Sequence, residues 1–243
     1  MTFDLRHRHP VTRSPGHPSL PHSLTFIYLC PMDIIKLIIA DDHVIFRKGL
    51  RTILNELDEI KVVGEASNGH ELLDQLKHQK ADLVFMDIRM PGMDGIEATR
   101  KVCERFPDTR VIALTMHEEI GYFNQMVEAG ASGFLLKKTT RDELQKAIHM
   151  VMEGENYFSE EFISHAQSLN RPRQKNPMIE LTDREDEVLN LICKGYSNAE
   201  IGKHLGVSVR TVDGHRARLL EKTGAKNSPH LVLYAIKNGL VKA

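Results

Sequence analysis

The chain has 243 residues, enough for two ordinary domains, and its 41% apolar and 27% charged side chains support buried cores rather than a disordered chain. No run approaches the ~18 consecutive apolar residues that cross a bilayer, and three scattered cysteines, Cys30, Cys103 and Cys193, suit neither a disulfide framework nor a zinc cluster. The net charge of −1 hides a split: residues 32–160 carry 16 basic against 23 acidic side chains, whereas residues 197–243 carry 8 against 3. A secreted scaffold and a membrane protein are thereby excluded. The expected setting is the cytoplasm, with no membrane contact, and the basic C-terminal part is where nucleic acid would bind.

Residues 1–31 are rich in His, Pro, Arg and Ser without sustained periodicity, and read as a disordered extension or a misassigned start, with Met32 as a candidate initiator. From residue 32 to 157, short apolar runs at 34–40, 61–66, 83–88, 110–115 and 133–136 alternate with amphipathic stretches near 43–57, 69–79, 94–106, 118–130 and 140–153. Such alternation predicts an α/β domain with a doubly wound, five-stranded parallel sheet of flavodoxin-like type. The nearly all-apolar strands fit a sheet covered on both faces. Residues 158–178 lose the periodicity and read as a linker. Residues 179–243 form a second, smaller all-α domain of four helices, near 183–194, 198–205, 209–223 and 228–238. Thr140 with Glu143, Thr182 with Glu185 and Ser197 with Glu200 have capping-box spacing, and Ser208 is a further N-cap candidate.

Ligands of open α/β sheets bind outside the carboxyl ends of the strands. Asp41 and Asp42 follow the first strand, Asp87 closes the third, Thr115 ends the fourth and Lys137 follows the fifth. Each alone is ordinarily a strand-end polar group meeting water; five groups of complementary type converging on one edge point to phosphoryl transfer onto a carboxylate. Clustered aspartates call for a hard cation such as Mg2+, which also neutralises charge on a transferred phosphoryl group. Asp87 would be the nucleophile, with Lys137 and the Thr115 hydroxyl on phosphate oxygens.

In the basic part, two helices are joined by Gly206-Val-Ser208, which is helix-turn-helix spacing. The second helix pairs an apolar stripe (Val209, Val212, Leu219, Leu220) with a face carrying Arg210, Asp213, Gly214, Ala217 and Glu221. Thr211, His215, Arg218 and Lys222 lie beside that face, and Arg216 falls nearer the apolar edge. A solvated amphipathic face would show the same pattern. Gly214 in mid-helix costs about 1 kcal/mol against Ala, a cost that close approach to a groove floor would explain.

The pair Asp41-Asp42, the run Asp87-Ile-Arg-Met-Pro-Gly-Met-Asp-Gly95, Ala113-Leu-Thr115 and Gly133-Phe-Leu-Leu-Lys137 resemble a response-regulator receiver domain. The resemblance implies Asp87 as phosphoacceptor and Mg2+ held by Asp41, Asp42, Asp87 and the backbone carbonyl of Arg89. It also implies Thr115 and Phe134 as switch residues, with Arg89 and His117 at positions that tune dephosphorylation. Leu181-Thr-Asp-Arg-Glu185, Gly195-Tyr-Ser-Asn-Ala-Glu-Ile201, Thr211-Val212, His215 and Lys222-Thr-Gly-Ala225 resemble a LuxR-type DNA-binding domain. Together they resemble the NarL/FixJ class of two-component response regulators. That implies a sensor histidine kinase as phosphodonor, double-stranded DNA as target and a homodimer when phosphorylated. The implied DNA contacts come from Ser208, Arg210, Thr211, Asp213, Gly214, His215, Arg216, Ala217, Arg218 and Lys222. Asp213 stands where many relatives carry lysine. An aspartate-dependent phosphohydrolase is the competing class, but it needs a second aspartate two residues after the nucleophile, where this chain has Arg89. The chain is therefore expected to be a regulator with at most slow self-dephosphorylation, not an enzyme.

Overall fold

The computed structural model describes residues 34–116, 120–159, 163 and 179–240. The expectations for residues 1–31, for His117 and for most of the 158–178 linker lie outside the described residues. In chain order the elements are β1 (Ile35–Ala40), α1 (Val44–Leu54), β2 (Ile60–Ala66), α2 (Gly69–His78), β3 (Leu83–Asp87), α3 (Gly95–Arg105), β4 (Arg110–Thr115), α4 (Ile120–Ala129), β5 (Gly133–Leu136), α5 (Arg141–Met152) and β6 (Tyr157–Phe158). Then follow α6 (Asp183–Cys193), α7 (Asn198–Leu205), α8 (Val209–Thr223) and α9 (Ser228–Lys237).

The sheet is parallel throughout, in the order β2-β1-β3-β4-β5-β6. It has six strands, not the five expected. The sixth is two residues long, pairing Tyr157 with Gly133 and Phe158 with Phe134, too short to carry a periodicity of its own. Alternation along the inner strands divides the core. Ile38, Val84, Met86, Val111, Ala113 and Phe134 meet α2, α3 and α4 on one face. Leu37, Ile39, Leu83, Phe85, Ile112, Leu114 and Leu135 meet α1 and α5 on the other. Every residue of β3 is buried, as expected of a central strand covered on both sides.

The three capping boxes form as the spacing requires, and Ser208 caps α8 by accepting from the Thr211 amide. The described residues from 34 to 240 make one compact unit, and the apolar cluster under α2–α4 runs on into the core of α6–α9. The turn between α7 and α8 needs its glycine: Gly206 has φ +66°, a left-handed conformation that any side chain would strain.

Glu185 holds this helical part together. It is buried, caps α6 by accepting from the Thr182 amide at 2.9 Å, and receives Lys222 of α8 at 2.6 Å. The Lys222 ammonium, and then the Thr182 amide, pull its carboxyl from 4.5 down to about 2. A depressed folded-state value stabilises the fold at pH above 4.5, and that contribution is lost as pH falls toward 2. Glu185→Gln should therefore lower stability at pH 7 by roughly 1.5–3 kcal/mol. Thermal melts should show the gap to wild type closing as the pH is lowered through 4.5 toward 2.

Candidate functional site

The strand order brings the ends of β1, β3 and β5 to one edge, and three side chains from them meet below the surface. Lys137 Nζ lies 2.6 Å from Asp41 Oδ2 and 2.8 Å from Asp87 Oδ2, and all three side chains are nearly inaccessible. The Asp87 carboxylate is oriented from behind, since Oδ1 accepts from the Ile88 amide at 2.8 Å. The loop after β3 returns tightly on itself. The Gly95 amide donates to the Ile88 carbonyl at 2.8 Å, and a Cβ on Gly95 would stand 1.9 Å from the Asp87 carbonyl oxygen. Only glycine allows that approach, and it sets the start of α3, which Asp94 then caps.

Burial pushes the Asp87 carboxyl above the usual carboxylate range. The Lys137 hydrogen bond works against this, and neighbouring Asp41 adds to it. Asp42 is the outward member of the acidic pair. His43, which sequence reasoning did not select, stands over the mouth with Nδ1 2.8 Å from Asp42, 3.1 Å from Asp41 and 3.8 Å from Asp87. Its signal was available as the residue next to the aspartate pair. Ligand atoms of Asp41, Asp42, His43 and Asp87 all lie within 4.8 Å of one another. Asp41 Oδ2 is buried and accepts no well-directed hydrogen bond, although it pairs with Lys137. That donor set fits a hard divalent cation.

Thr115 closes β4, fully buried at the same edge. Phe134 is buried on the neighbouring β5, opposite Ala113 and two residues before the partner of Thr115, and its ring meets Phe123 of α4 edge-on at 5.4 Å. Phe123 meets Phe158 of β6 in the same way at 5.3 Å. Arg89 leaves the loop after β3 for α4, donating through Nε to the Tyr122 hydroxyl at 2.9 Å with its guanidinium over the ring.

On the helical part, α8 exposes Arg210, Thr211, Asp213, Gly214, Ala217 and Arg218. Gly214 touches nothing: a Cβ there would find open space, so no packing within the chain asks for a glycine. Ser208 is exposed at the helix start, and His215 is half-buried with an unpartnered Nδ1. Two residues expected at DNA are tied to partners within the chain, Lys222 while still exposed and Arg216 half-buried. Lys222 is held by Glu185 and by the Glu180 carbonyl. Arg216 donates to Asn198 Oδ1 and to Ser228 Oγ.

Comparison with known proteins matches both halves. The family described as "Response regulator receiver domain" matches residues 37–149, and "Bacterial regulatory proteins, luxR family" matches residues 180–235. Oxygen regulatory protein NreC of Staphylococcus epidermidis (strain ATCC 12228 / FDA PCI 1200) is 36% identical over 217 residues, covering 86% of this chain and all of the relative. The chain belongs to the response regulators. Among solved structures, ChrA of a heme-sensing two-component system is 33% identical, with a TM-score of 0.50, covering 86% of this chain and 100% of that one. A structure of two RcsB dimers bound to two parallel DNAs is 28% identical, with a TM-score of 0.53, covering 84% and 98%.

This response regulator is a DNA-binding regulator of a two-component system, with a parallel α/β receiver and a C-terminal helix-turn-helix. Among its described residues, no helix is long and apolar enough to cross a membrane. Gly95 and Gly214 differ in what a side chain would meet. Gly95→Ala should collapse the loop after β3, because the new methyl meets backbone. Gly214→Ala should raise stability by up to about 1 kcal/mol, since it gains helix propensity and meets nothing. Paired thermal melts check both; a Gly95→Ala protein that melts like wild type would overturn the loop assignment.

Proposed function

We propose that Asp87 is the phosphoacceptor, that phosphorylation controls dimerisation of the receiver, and that this governs binding of the helix-turn-helix to DNA. The observation that carries the reading is the buried Asp87–Lys137–Asp41 cluster at the carboxyl edge of the sheet. Asp87, ionised, attacks the phosphorus of a phosphodonor. An acyl phosphate forms on its carboxylate while the bond from phosphorus to the donor's leaving atom breaks. A histidine kinase's phosphorylated imidazole is the donor expected of a two-component partner. Lys137 exchanges part of its pairing with Asp87 for a phosphoryl oxygen, which keeps its ammonium partnered throughout. Asp41, Asp42, Asp87 and the Arg89 carbonyl are the groups that would hold Mg2+, which when bound supplies neutralisation of charge on the transferred group. The protein turns over no separate substrate on this reading; hydrolysis of its own acyl phosphate acts as a timer.

Activation is a population shift between two receiver states. The Thr115 hydroxyl is drawn to the phosphoryl group and Phe134 takes up the space that this opens, so the contacts of α4 change. Phosphate shifts the balance only in so far as it favours one state. The dimer reading is supported by the small footprint of a single helix-turn-helix, since paired half-sites need paired domains. The output face supported by exposure is Ser208, Arg210, Thr211, Asp213, Gly214, Ala217, Arg218 and Lys222, with His215 half-buried beside it. Residues 32–157 form the receiver domain and 179–243 the DNA-binding domain, joined through 158–178.

Two measurements test this. Asp87→Asn should gain no mass on incubation with Mg2+ and acetyl phosphate, whereas Asp94→Asn, altered only at a helix cap, should be phosphorylated like wild type; an adduct on the Asp87→Asn protein would sink the assignment. Thr115→Ala should accept phosphate normally yet show no rise in DNA affinity on phosphorylation. Normal enhancement in that variant would remove Thr115 from the switch.

A further inference from the structure

The loop after α5 carries a carboxylate onto the DNA-binding domain. Both oxygens of Glu155 lie 3.0 Å from the backbone nitrogen of Asn198, the first residue of α7. That N–H is one of the groups a helix cannot satisfy internally, and it stands at the positive end of the helix. Glu155 Oε2 is also 3.8 Å from Arg216 Nη1 of α8, and the two side chains are only 15% and 12% exposed. Arg216 is framed further by Asn198 and Ser228, and Asn198 Nδ2 donates to Asp213 at 2.8 Å. One receiver carboxylate thus ties together the N-terminus of α7 and an arginine of the recognition helix.

A helix N-terminal amide and a guanidinium aimed at one anionic oxygen are what a DNA backbone phosphate meets on such a domain, where the first helix of the motif crosses the backbone. We propose that Glu155 stands in for a DNA phosphate, holding the seat formed by the Asn198 amide and Arg216 closed until DNA displaces it. This rests on the DNA-binding reading above and adds to it a named internal competitor.

Three observations support the competition. Burial pushes the Glu155 carboxyl up, with the Asn198 amide and Arg216 opposing, so the seat is desolvated, as a docked phosphate contact would be. The receiver also meets this part of the chain through Lys146, which pairs with Glu200 at 3.2 Å and lies over Tyr196, contacts that leave the Asn198 amide and Arg216 to Glu155. Finally, Glu155 lies two residues before β6, whose Phe158 pairs with Phe134 and packs on Phe123, so movement of the switch aromatic reaches the latch through the shortest strand in the sheet.

The test uses the full chain without phosphodonor, binding a labelled duplex of mixed sequence over about 50–200 mM salt. Glu155→Gln keeps the shape and loses the charge; Glu155→Asp keeps the charge and loses the reach. Both should bind about tenfold more tightly than wild type, because DNA no longer pays for emptying the seat. Adding Arg216→Gln to Glu155→Gln should abolish the gain and flatten the log–log salt dependence by about one. The proposal is overturned if both Glu155 variants bind like wild type, or if Arg216→Gln leaves the gain intact. Failure of wild type and variants alike to bind any duplex at the lowest salt would overturn the DNA-binding reading itself, and the competition with it.

Discussion

Lys137 is an ammonium taken out of water at the carboxyl edge of a sheet, with two buried carboxylates as counter-ions at 2.6 and 2.8 Å and the ring of Phe46 within 4.8 Å of its Nζ. Removing one member of a buried pair leaves an uncompensated charge at a cost of ~3–5 kcal/mol, so the three groups constrain one another. They also leave the edge short of positive charge, since two carboxylates face one ammonium and Asp42 adds a third just outside. His43 Nδ1 stands at the mouth 2.8 Å from Asp42, and the deficit is what makes the edge receptive to a cation. The same arrangement acts on Asp87 in opposite senses: burial raises the proton affinity of its carboxyl and the Lys137 hydrogen bond lowers it.

From that edge the packing leads outward along a short route. Thr115 and Phe134 sit on adjacent strands, Phe123 joins Phe134 to Phe158, and the loop ahead of β6 meets the first turn of α7. The steps up to β6 are contacts between buried rings or backbone pairings, the last is the Glu155 carboxylate on the Asn198 amide, and cores of this density move between discrete arrangements rather than deforming smoothly. Arg89 gives a second tie, from the loop after β3 directly to Tyr122 of α4. The receiver therefore offers α4 two handholds, one polar and exposed, the other apolar and buried.

Local chemistry was legible in the sequence wherever a few neighbouring residues carry the information. Alternating apolar runs marked the first five strands, Ser/Thr with Glu three residues on marked three helix starts, and polar residues directly after apolar runs marked the carboxyl edge. What stayed hidden depends on contacts between distant residues. β6 has two residues and no period. Lys222 and Arg216 carry the charge and helical position of DNA contacts, and nothing near them in sequence announces Glu185, 37 residues away, or Glu155. Gly95 is plain in the sequence as part of a family motif, but its steric reason appears only when the loop is folded against the Asp87 carbonyl.

The brevity of β6 bears on how the receiver can be handled as a separate piece. Its two residues cover half of β5, occupying the pairing side of Gly133 and Phe134, while Phe158 closes the aromatic cluster over α4. A fragment cut where the receiver family match ends, at residue 149, would strip that cover, leaving backbone donors and acceptors at the edge of an apolar strand with a phenylalanine cluster open beside them. Uncovered edges of this kind invite pairing between molecules. The natural place to divide the chain lies beyond Ser159, whose amide still bonds to the Phe134 carbonyl, so that the piece keeps its sheet closed and stays monodisperse.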